Sequence, residues 1–165
     1  MQLQFVELTP SIAAELEAAA TDHEVVSNYD LRGGVQTGQR LFAPGDDAGA
    51  YLRRNQRMSR AALLSDDQSS LVGVFTLQAG ELSYFVLRNH WGQGYGQQIV
   101  HAACKAAFDE LGLNALDAVV ISTNAPSQKI IESRGFHING RARMTAARRG
   151  QVEVIRYRLL ANQAP

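Results

Sequence analysis

The amino-acid sequence predicts an α/β fold, a mixed and mostly antiparallel sheet of about six to seven strands flanked by about four helices. The chain has 165 residues, of which 45% are apolar and 19% charged, a composition typical of one globular domain. Segments of alternating polarity, typical of strands, are interleaved with segments of 3.6-residue periodicity, typical of helices. No repeat, linker or low-complexity tract interrupts them, so we expect a single domain over residues 1–165.

The N-terminal part is predicted to be a strand followed by a helix. Residues 2–8 alternate between apolar and polar side chains, as in a half-buried strand. Residues 12–20 are strong helix formers, and Thr9 or Ser11 is predicted to cap the N-terminus of their helix. Residues 30–48 are rich in glycine and are predicted to be a mobile or substrate-facing loop. A second short helix is predicted over residues 49–59.

The middle and C-terminal parts are predicted to supply most of the sheet. Turn clusters at residues 66–70 and 79–80 separate three apolar segments, which predicts an antiparallel meander. The later elements are a helix to about Leu111 closed by Gly112, a buried strand over 118–122, a short helix over 126–134 closed by Gly135, and strands over 136–139 and 151–160. A basic segment, residues 141–150, is predicted to join the last two strands.

A glycine-rich turn follows the meander and is the most informative segment of the chain. Residues 88–96 read Arg-Asn-His-Trp-Gly-Gln-Gly-Tyr-Gly and lead into a helix. The first N–H groups of a helix lack intrahelical partners, and together with the helix dipole they favour an anion. Glycine also lets the backbone approach a diphosphate closely. Because neither a P-loop nor the GxGxxG dinucleotide spacing is present, a phosphate site and a plain tight turn both stay open.

Composition excludes several classes of function. The 16 Lys and Arg residues balance 16 Asp and Glu residues, which argues against nucleic-acid binding because that affinity comes mostly from neutralised phosphates. The single cysteine, Cys104, excludes an internal disulfide and a multi-cysteine metal site, and we expect it to be a core residue rather than a nucleophile. Neither a signal-peptide pattern nor a long apolar stretch occurs, so we expect a cytoplasmic protein that does not cross a membrane.

The glycine turn resembles the acetyl-CoA motif of the GCN5-related N-acetyltransferase (GNAT) superfamily, Arg/Gln-x-x-Gly-x-Gly/Ala. Gly94 and Gly96 fill the two glycine positions, and Trp91 stands where Arg or Gln is usual. The run His-Trp-Gly-Gln-Gly-Tyr is similar to the RimJ/RimL-like branch, which acetylates N-termini of ribosomal proteins. Asn-Ala-Pro-Ser at 124–127 and the Gly-Phe exit that follows at 135–136 resemble the same branch. The resemblance covers roughly residues 81–140, and the first 60 residues carry no such motif.

The resemblance implies acetyl-CoA as cosubstrate and no metal. It implies that the strand before the turn splays from its neighbour, so that the amide and carbonyl of Val86 pair with the pantetheine arm. Asn124 would hydrogen-bond the pantetheine, with a helix N-cap as an equal alternative, and Ser127 would be the acid for the departing thiolate. The diphosphate would lie on backbone amides of the turn, those of Trp91, Gly92, Gly94, Tyr95, Gly96 and Gln97.

Several charged residues are candidates for further roles. Glu153 lies in the last strand, where the resembling branch often carries an acidic residue, and is predicted as the general base. Glu81, His90 and His101 are alternative bases, and a solvated surface position is an alternative for each. The arginines near the last hairpin would meet the 3′-phosphate of CoA, meet an acidic acceptor, or simply be solvated; they are Arg141, Arg143, Arg148 and Arg149.

The expected reaction is acetyl transfer from acetyl-CoA to a primary amine such as a protein N-terminal α-amine. An α-amino group, with a pKa of about 8, is partly neutral at pH 7, whereas a lysine amine at about 10.4 is not, so a weak base or a water chain suffices for the former. A small-molecule amine (an amino acid, a polyamine or an antibiotic) and a CoA-binding module without catalysis are the alternatives. We expect a monomer or a homodimer.

Overall fold

Eight strands form one mixed sheet in the computed structural model, which describes residues 2–22, 24–25, 31–32, 59–146 and 149–165. The strands are β1 (Leu3–Glu7), β2 (Leu31–Arg32), β3 (Ser59–Leu64), β4 (Asp67–Gln78), β5 (Glu81–Val86), β6 (Ala115–Ile121), β7 (His137–Ala146) and β8 (Gly150–Leu160). Their order across the sheet is β1-β3-β4-β5-β6-β8-β7-β2. Every neighbouring pair is antiparallel except β5 and β6, which are parallel, so the predicted mixed and mostly antiparallel sheet is confirmed.

Three α-helices lie in the described part of the chain, against about four expected. They are α1 (Ala13–Thr21), α2 (Tyr95–Lys105) and α3 (Ala125–Ser133). A π-helical turn over Ala106–Glu110 extends α2, and the predicted terminators Gly112 and Gly135 follow α2 and α3 with φ of +62° and +86°. The helix predicted over residues 49–59 lies outside the described residues except for Ser59, which begins β3. The loop predicted over residues 30–48 also lies outside them, apart from the two residues of β2.

The sheet has a hydrophobic core on each face. On one face α2 and α3 contribute Ile99 and Ile131, which belong to the same buried cluster as Leu116 of β6. On the other face Leu16 of α1 belongs to a cluster with Phe85 of β5. Since side chains alternate along a strand, β5 directs residues 82, 84 and 86 toward the α2–α3 face, and Phe85 of β5 and Leu87 just after it face α1.

Three local predictions were wrong. The turn predicted over residues 66–70 is confined to Ser65 and Asp66, because Leu64 already pairs with Asp67. The basic segment predicted as a loop is mostly strand, since β7 runs to Ala146 and its exposed arginines pair across to β8. The predicted caps of α1 are also absent: Thr9 Oγ1 and Ser11 Oγ hydrogen-bond each other at 2.6 Å, and the N-cap residue is Ile12.

Candidate active site

A cavity opens where β5 and β6 part. The two parallel strands pair only at their beginnings, Glu81 with Asp117 and Leu82 with Ala118. Both strands then continue, to Val86 and Ile121, without further pairing to each other. A cavity of about 770 Å³ occupies the gap, lined by these strands, the glycine turn and the N-terminal part of α3. The separation of strands expected before the turn is therefore present.

The outer half of β5 presents backbone hydrogen-bonding groups to this cavity. The amide of Leu87 donates to the carbonyl of Val72 at 2.8 Å, so the polar groups of Leu87 face β4. Backbone groups of successive strand residues point in opposite directions, and those of Tyr84 and Val86 consequently face the gap. The carbonyl of Val86 accepts a hydrogen bond from the indole Nε1 of Trp91 at 2.8 Å.

The glycine turn closes one end of the cavity. Gly92 and Gly94 have φ of +75° and +80°, a conformation that glycine adopts without steric cost. A Cβ at either position would meet no atom within 4 Å, so the backbone of the turn lies open. Gly94 is the N-cap of α2 and no side chain caps that end of the helix. All the turn residues predicted to hold a diphosphate line the cavity: Trp91, Gly92, Gly94, Tyr95, Gly96 and Gln97.

Gly96 has a second role, in the packing of α2. A Cβ at Gly96 would lie 2.7 Å from Cδ1 of Ile130 in α3 and 3.8 Å from Cγ2 of Val86. The first of these distances is shorter than a carbon–carbon contact. Gly96 therefore lets α3 approach α2 at the cavity, which brings the N-terminus of α3 opposite β5.

The N-terminus of α3 presents Asn124 and Ser127 to the cavity. Asn124 is the N-cap, and its Oδ1 accepts a hydrogen bond from the amide of Ser127 at 3.3 Å. Ser127 Oγ lies 2.9 Å from the hydroxyl oxygen of Tyr84, close enough for a hydrogen bond. Burial raises the pKa of Tyr84 to about 12, so its phenol is protonated at neutral pH. The capping alternative for Asn124 is confirmed, and a contact with pantetheine stays a prediction.

Tyr84 is the site residue that sequence analysis missed. The motif around Ser127, residues 124–136, contains no tyrosine and therefore gives no indication of a tyrosine partner. Strand alternation was the available signal, because Tyr84 lies two residues before Val86 and shares its face. The alternation pattern does not predict where α3 lies, and it is the position of α3 that brings Ser127 next to Tyr84.

The predicted bases are dispersed. Glu153 is an exposed residue of β8 whose Oε1 accepts from Arg141 Nη1 at 3.0 Å, and it is absent from the cavity lining, as are Glu81 and His101. His101 contacts Arg134 on the outer side of α2, with 3.4 Å between its Nδ1 and Arg134 Nη1. His90 does line the cavity, and its ring packs edge-on against Tyr95 with 5.8 Å between centroids.

The remaining candidates are also separated. Arg149 lines the cavity and its Nη1 lies 3.4 Å from Thr123 Oγ1, whereas Arg141 and Arg143 belong to β7 and Arg148 lies outside the described residues. Cys104 is buried in the α2 core, and burial raises its pKa to about 11, as fits a core residue. Tyr157 is not one of these candidates. Its side chain is buried outside the cavity lining, and its hydroxyl donates to Glu132 Oε1 at a distance of 2.8 Å.

The described ranges contain neither a metal-binding cluster nor a membrane-spanning helix. Over those residues no group of three or more His, Cys, Asp or Glu side chains is arranged to hold a metal ion. None of the helices described is long and apolar enough to cross a membrane.

Known proteins resemble this chain both in sequence and in fold. Protein p20 of Bacillus licheniformis, an uncharacterised N-acetyltransferase, is 32% identical over 84 residues, which is 50% of this chain and 47% of that protein. The structure of a spermidine N-acetyltransferase from Vibrio cholerae with CoA and spermine superposes with a TM-score of 0.77, at 16% identity over 98% of this chain and 97% of that one. The structure of a ribosomal-protein-S5-alanine acetyltransferase from Vibrio fischeri superposes with a TM-score of 0.77, at 12% identity over 100% of this chain and 96% of that one.

The match to a protein family covers more of the sequence than the curated relative does. Residues 2–137 match the acetyltransferase (GNAT) domain family, a span that includes the parted strands, the glycine turn and α3. The chain therefore belongs to the GNAT acetyltransferase family.

Proposed function

We propose that this protein transfers the acetyl group of acetyl-CoA to a primary amine, and that the amine is the N-terminal α-amine of a protein. The observation that carries the proposal is the single cavity between β5 and β6, which joins the glycine turn at one end to Ser127 at the other. One ligand that spans this cavity reaches both a diphosphate site and a hydroxyl acid.

The residues present fit acetyl-CoA. The open backbone at Gly92 and Gly94 and the uncapped N-terminus of α2 suit a diphosphate, which needs N–H donors and no intruding Cβ. The backbone groups of Tyr84 and the carbonyl of Val86, which face the gap, suit the amides of a pantetheine arm, in the way that one strand pairs with another. Because these donors belong to the backbone, a chain with 16 cationic and 16 anionic residues needs no excess of positive charge to bind the diphosphate.

The reaction joins an amine nitrogen to the thioester carbon and releases a thiol. In this proposal the amide of Val86 stabilises the oxyanion, Ser127 Oγ gives its proton to the departing sulfur, and orientation in the cavity supplies much of the rate. Glu153 stays the proposed base from the sequence, although its ion pair with Arg141 lies outside the cavity lining. An α-amine, already partly neutral at pH 7, makes the weakest demand on any base.

The charge of the described part of the cavity lining is the basis on which we choose a protein N-terminus over a polyamine. Of the described residues that line it, the carboxylate is Glu24, which is paired with Arg88 at 3.2 Å, and the guanidinium is Arg149. A polyamine carries several positive charges and is attracted by unpaired carboxylates. The similar folds include both kinds of enzyme by name, the Vibrio cholerae spermidine N-acetyltransferase and the Vibrio fischeri ribosomal-protein enzyme, which supports either acceptor equally.

Two measurements test the proposal. Isothermal titration should show binding of acetyl-CoA to the wild type and none to Gly94→Glu, whose side chain enters the diphosphate site. Thiol release should then be fastest with a peptide that has a free N-terminal alanine, slower with spermidine, and absent with the N-acetylated peptide. Absence of acetyl-CoA binding overturns the whole proposal. Binding without thiol release supports a non-catalytic CoA module, and faster release with spermidine overturns the choice of acceptor.

A further inference from the structure

Tyr84 and Ser127 form a hydroxyl pair across the cavity. Tyr84 belongs to β5 and Ser127 to α3, and their oxygens are 2.9 Å apart although the residues are 43 positions apart in sequence. Both side chains line the cavity. The ring of Tyr84 packs against the same core cluster as Val86 and Ile130, so its hydroxyl is delivered to Ser127 by a fixed ring.

Ser127 is held from two directions by this arrangement. Its backbone amide is bonded to Asn124 Oδ1, which fixes the first turn of α3 but leaves the side chain its three rotamers. The contact with Tyr84 selects one of these rotamers. A serine hydroxyl can accept one hydrogen bond while it donates another, so a bond from Tyr84 leaves the Ser127 proton available to a ligand.

Either hydroxyl of the pair is able to donate, and this inference takes Tyr84 as the donor, which requires a protonated phenol. Because burial raises the pKa of Tyr84 to about 12, the tyrosine keeps its proton throughout the range in which an amine can react. With the phenol as donor, the Ser127 hydroxyl becomes a better donor itself, since hydrogen bonds in a chain polarise one another.

We propose that Tyr84 is a positioning residue that acts through Ser127: its hydroxyl donates to Ser127 Oγ and aims the Ser127 proton at the thioester sulfur. This inference rests on the proposed acetyl transfer. When the carbon–sulfur bond of the tetrahedral adduct breaks, its electron pair goes to sulfur, which takes the Ser127 proton. The attacking nitrogen loses one proton to the base, and one proton returns through water to Ser127. Tyr84 keeps its own proton and stabilises the negative charge that develops on Oγ.

Tyr84→Phe is the variant that isolates this role, because it keeps the ring in the core and removes one oxygen atom. Loss of the hydroxyl should lower kcat about tenfold and should leave the KM for acetyl-CoA unchanged. A general acid contributes about 10²- to 10⁴-fold to the rate, and a positioning residue should account for part of that factor. In a Ser127→Ala background the same substitution should have no further effect, because Tyr84 then has no hydroxyl to orient. Tyr157→Phe is the matched control, since it also removes a tyrosine hydroxyl with one hydrogen-bond partner but does so away from the cavity.

The dependence on the leaving group separates positioning from a structural role. With the S-acetyl ester of an arylthiol, whose thiolate leaves without a proton, Tyr84→Phe and wild type should have the same kcat/KM. A merely structural defect would lower the rates of both thioesters alike. Melting temperatures of the Tyr84→Phe and Tyr157→Phe variants report whether either has lost its fold. Ser127→Thr keeps the hydroxyl, so its kcat should exceed that of Ser127→Ala when Tyr84 is present and should not when Tyr84 is replaced by Phe.

The outcomes distinguish this inference from the proposed function. If the wild type releases no thiol, the acetyl transfer itself is wrong. If the wild type is active but Tyr84→Phe has the kcat of wild type, only the role of Tyr84 is wrong. Additive effects of Tyr84→Phe and Ser127→Ala, or an equal loss with the aryl thioester, overturn it as well.

Discussion

Replacement of Gly94 by alanine tests whether the glycine turn is a diphosphate site or merely a tight turn. Gly94 has φ of +80°, and a Cβ there would meet no atom within 4 Å. The cost in the free protein is consequently backbone strain without a clash, about 1–2 kcal/mol of unfolding free energy. For a chain of this size, that corresponds to a fall of roughly 2–8 °C in melting temperature.

The loss of affinity should be larger than the loss of stability explains. With a ligand bound, the methyl group would project into the space that the phosphate oxygens need, and one N–H bond to a charged group would be lost. Such bonds contribute about 1.5–3 kcal/mol each, so we expect acetyl-CoA to bind roughly 10- to 100-fold more weakly. Isothermal titration measures this affinity directly at a temperature where the variant is folded.

Gly80 provides the matched control for this experiment. Its φ is +79° and a Cβ there also meets no atom within 4 Å, but it lies in the β4–β5 turn, away from the cavity lining. Gly80→Ala should lose about as much stability as Gly94→Ala and keep the affinity of wild type. If the wild type, Gly94→Ala and Gly80→Ala bind acetyl-CoA with equal affinity, the diphosphate site at the turn is refuted. If both variants lose the same affinity, the loss follows from reduced stability and not from the position of Gly94.

Three further predictions follow from other parts of the structure. Trp91 is the only tryptophan of the chain and lines the cavity, so acetyl-CoA should change the intrinsic fluorescence, and an unchanged spectrum at saturation would contradict binding there. Glu153→Gln should lower kcat about 100-fold if Glu153 is the base, whereas Arg141→Gln, which breaks the same exposed ion pair, should leave kcat nearly unchanged. Equally small effects of the two substitutions on kcat would show that Glu153 only forms an ion pair in the hairpin. Cys104, whose pKa burial raises to about 11, should resist iodoacetamide at pH 8.5 until the protein is unfolded, and rapid alkylation of the native protein would contradict its burial. The free energy of unfolding should also fall between about pH 9 and 11, because the thiol of the unfolded chain ionises at a lower pH than the thiol of the folded chain.

The fold was predictable from sequence where local pattern and packing agree. The meander of β3, β4 and β5 follows from alternation and turn residues, and α2 from its periodicity and from Gly112. The errors occurred where polar residues continue a strand. Arg141 and Arg143 resemble a solvated loop in sequence, but in β7 they are paired across to β8, where a cross-strand ion pair with Glu153 is available. Sequence pattern alone does not reveal such a partner.

The glycine turn, the parted strand and the capped helix were predictable for a reason that does not apply to the rest of the cavity. A glycine turn, a parted strand and an Asn-capped helix each leave a local signal, because each depends on residues close in sequence. The Tyr84–Ser127 contact depends on the approach of α3 to β5, which in turn depends on the missing Cβ of Gly96. The cavity lining also includes residues that are distant in sequence, such as Glu24 and Arg149, and no short motif encodes their meeting.

Trp91 shows how a departure from a motif can be compatible with the function of that motif. The residue at this position was expected to contribute mainly a backbone amide, yet its indole also donates to the carbonyl of Val86. A pantetheine amide that needs the same carbonyl must either displace the indole or use the second lone pair, since a carbonyl oxygen accepts two hydrogen bonds. Arg and Gln also carry side-chain N–H donors, so the replacement by Trp keeps a side-chain donor at this position. The substitution therefore changes the shape and fluorescence of the cavity rim more than its hydrogen bonding, and it does not argue for a protein that has lost catalysis.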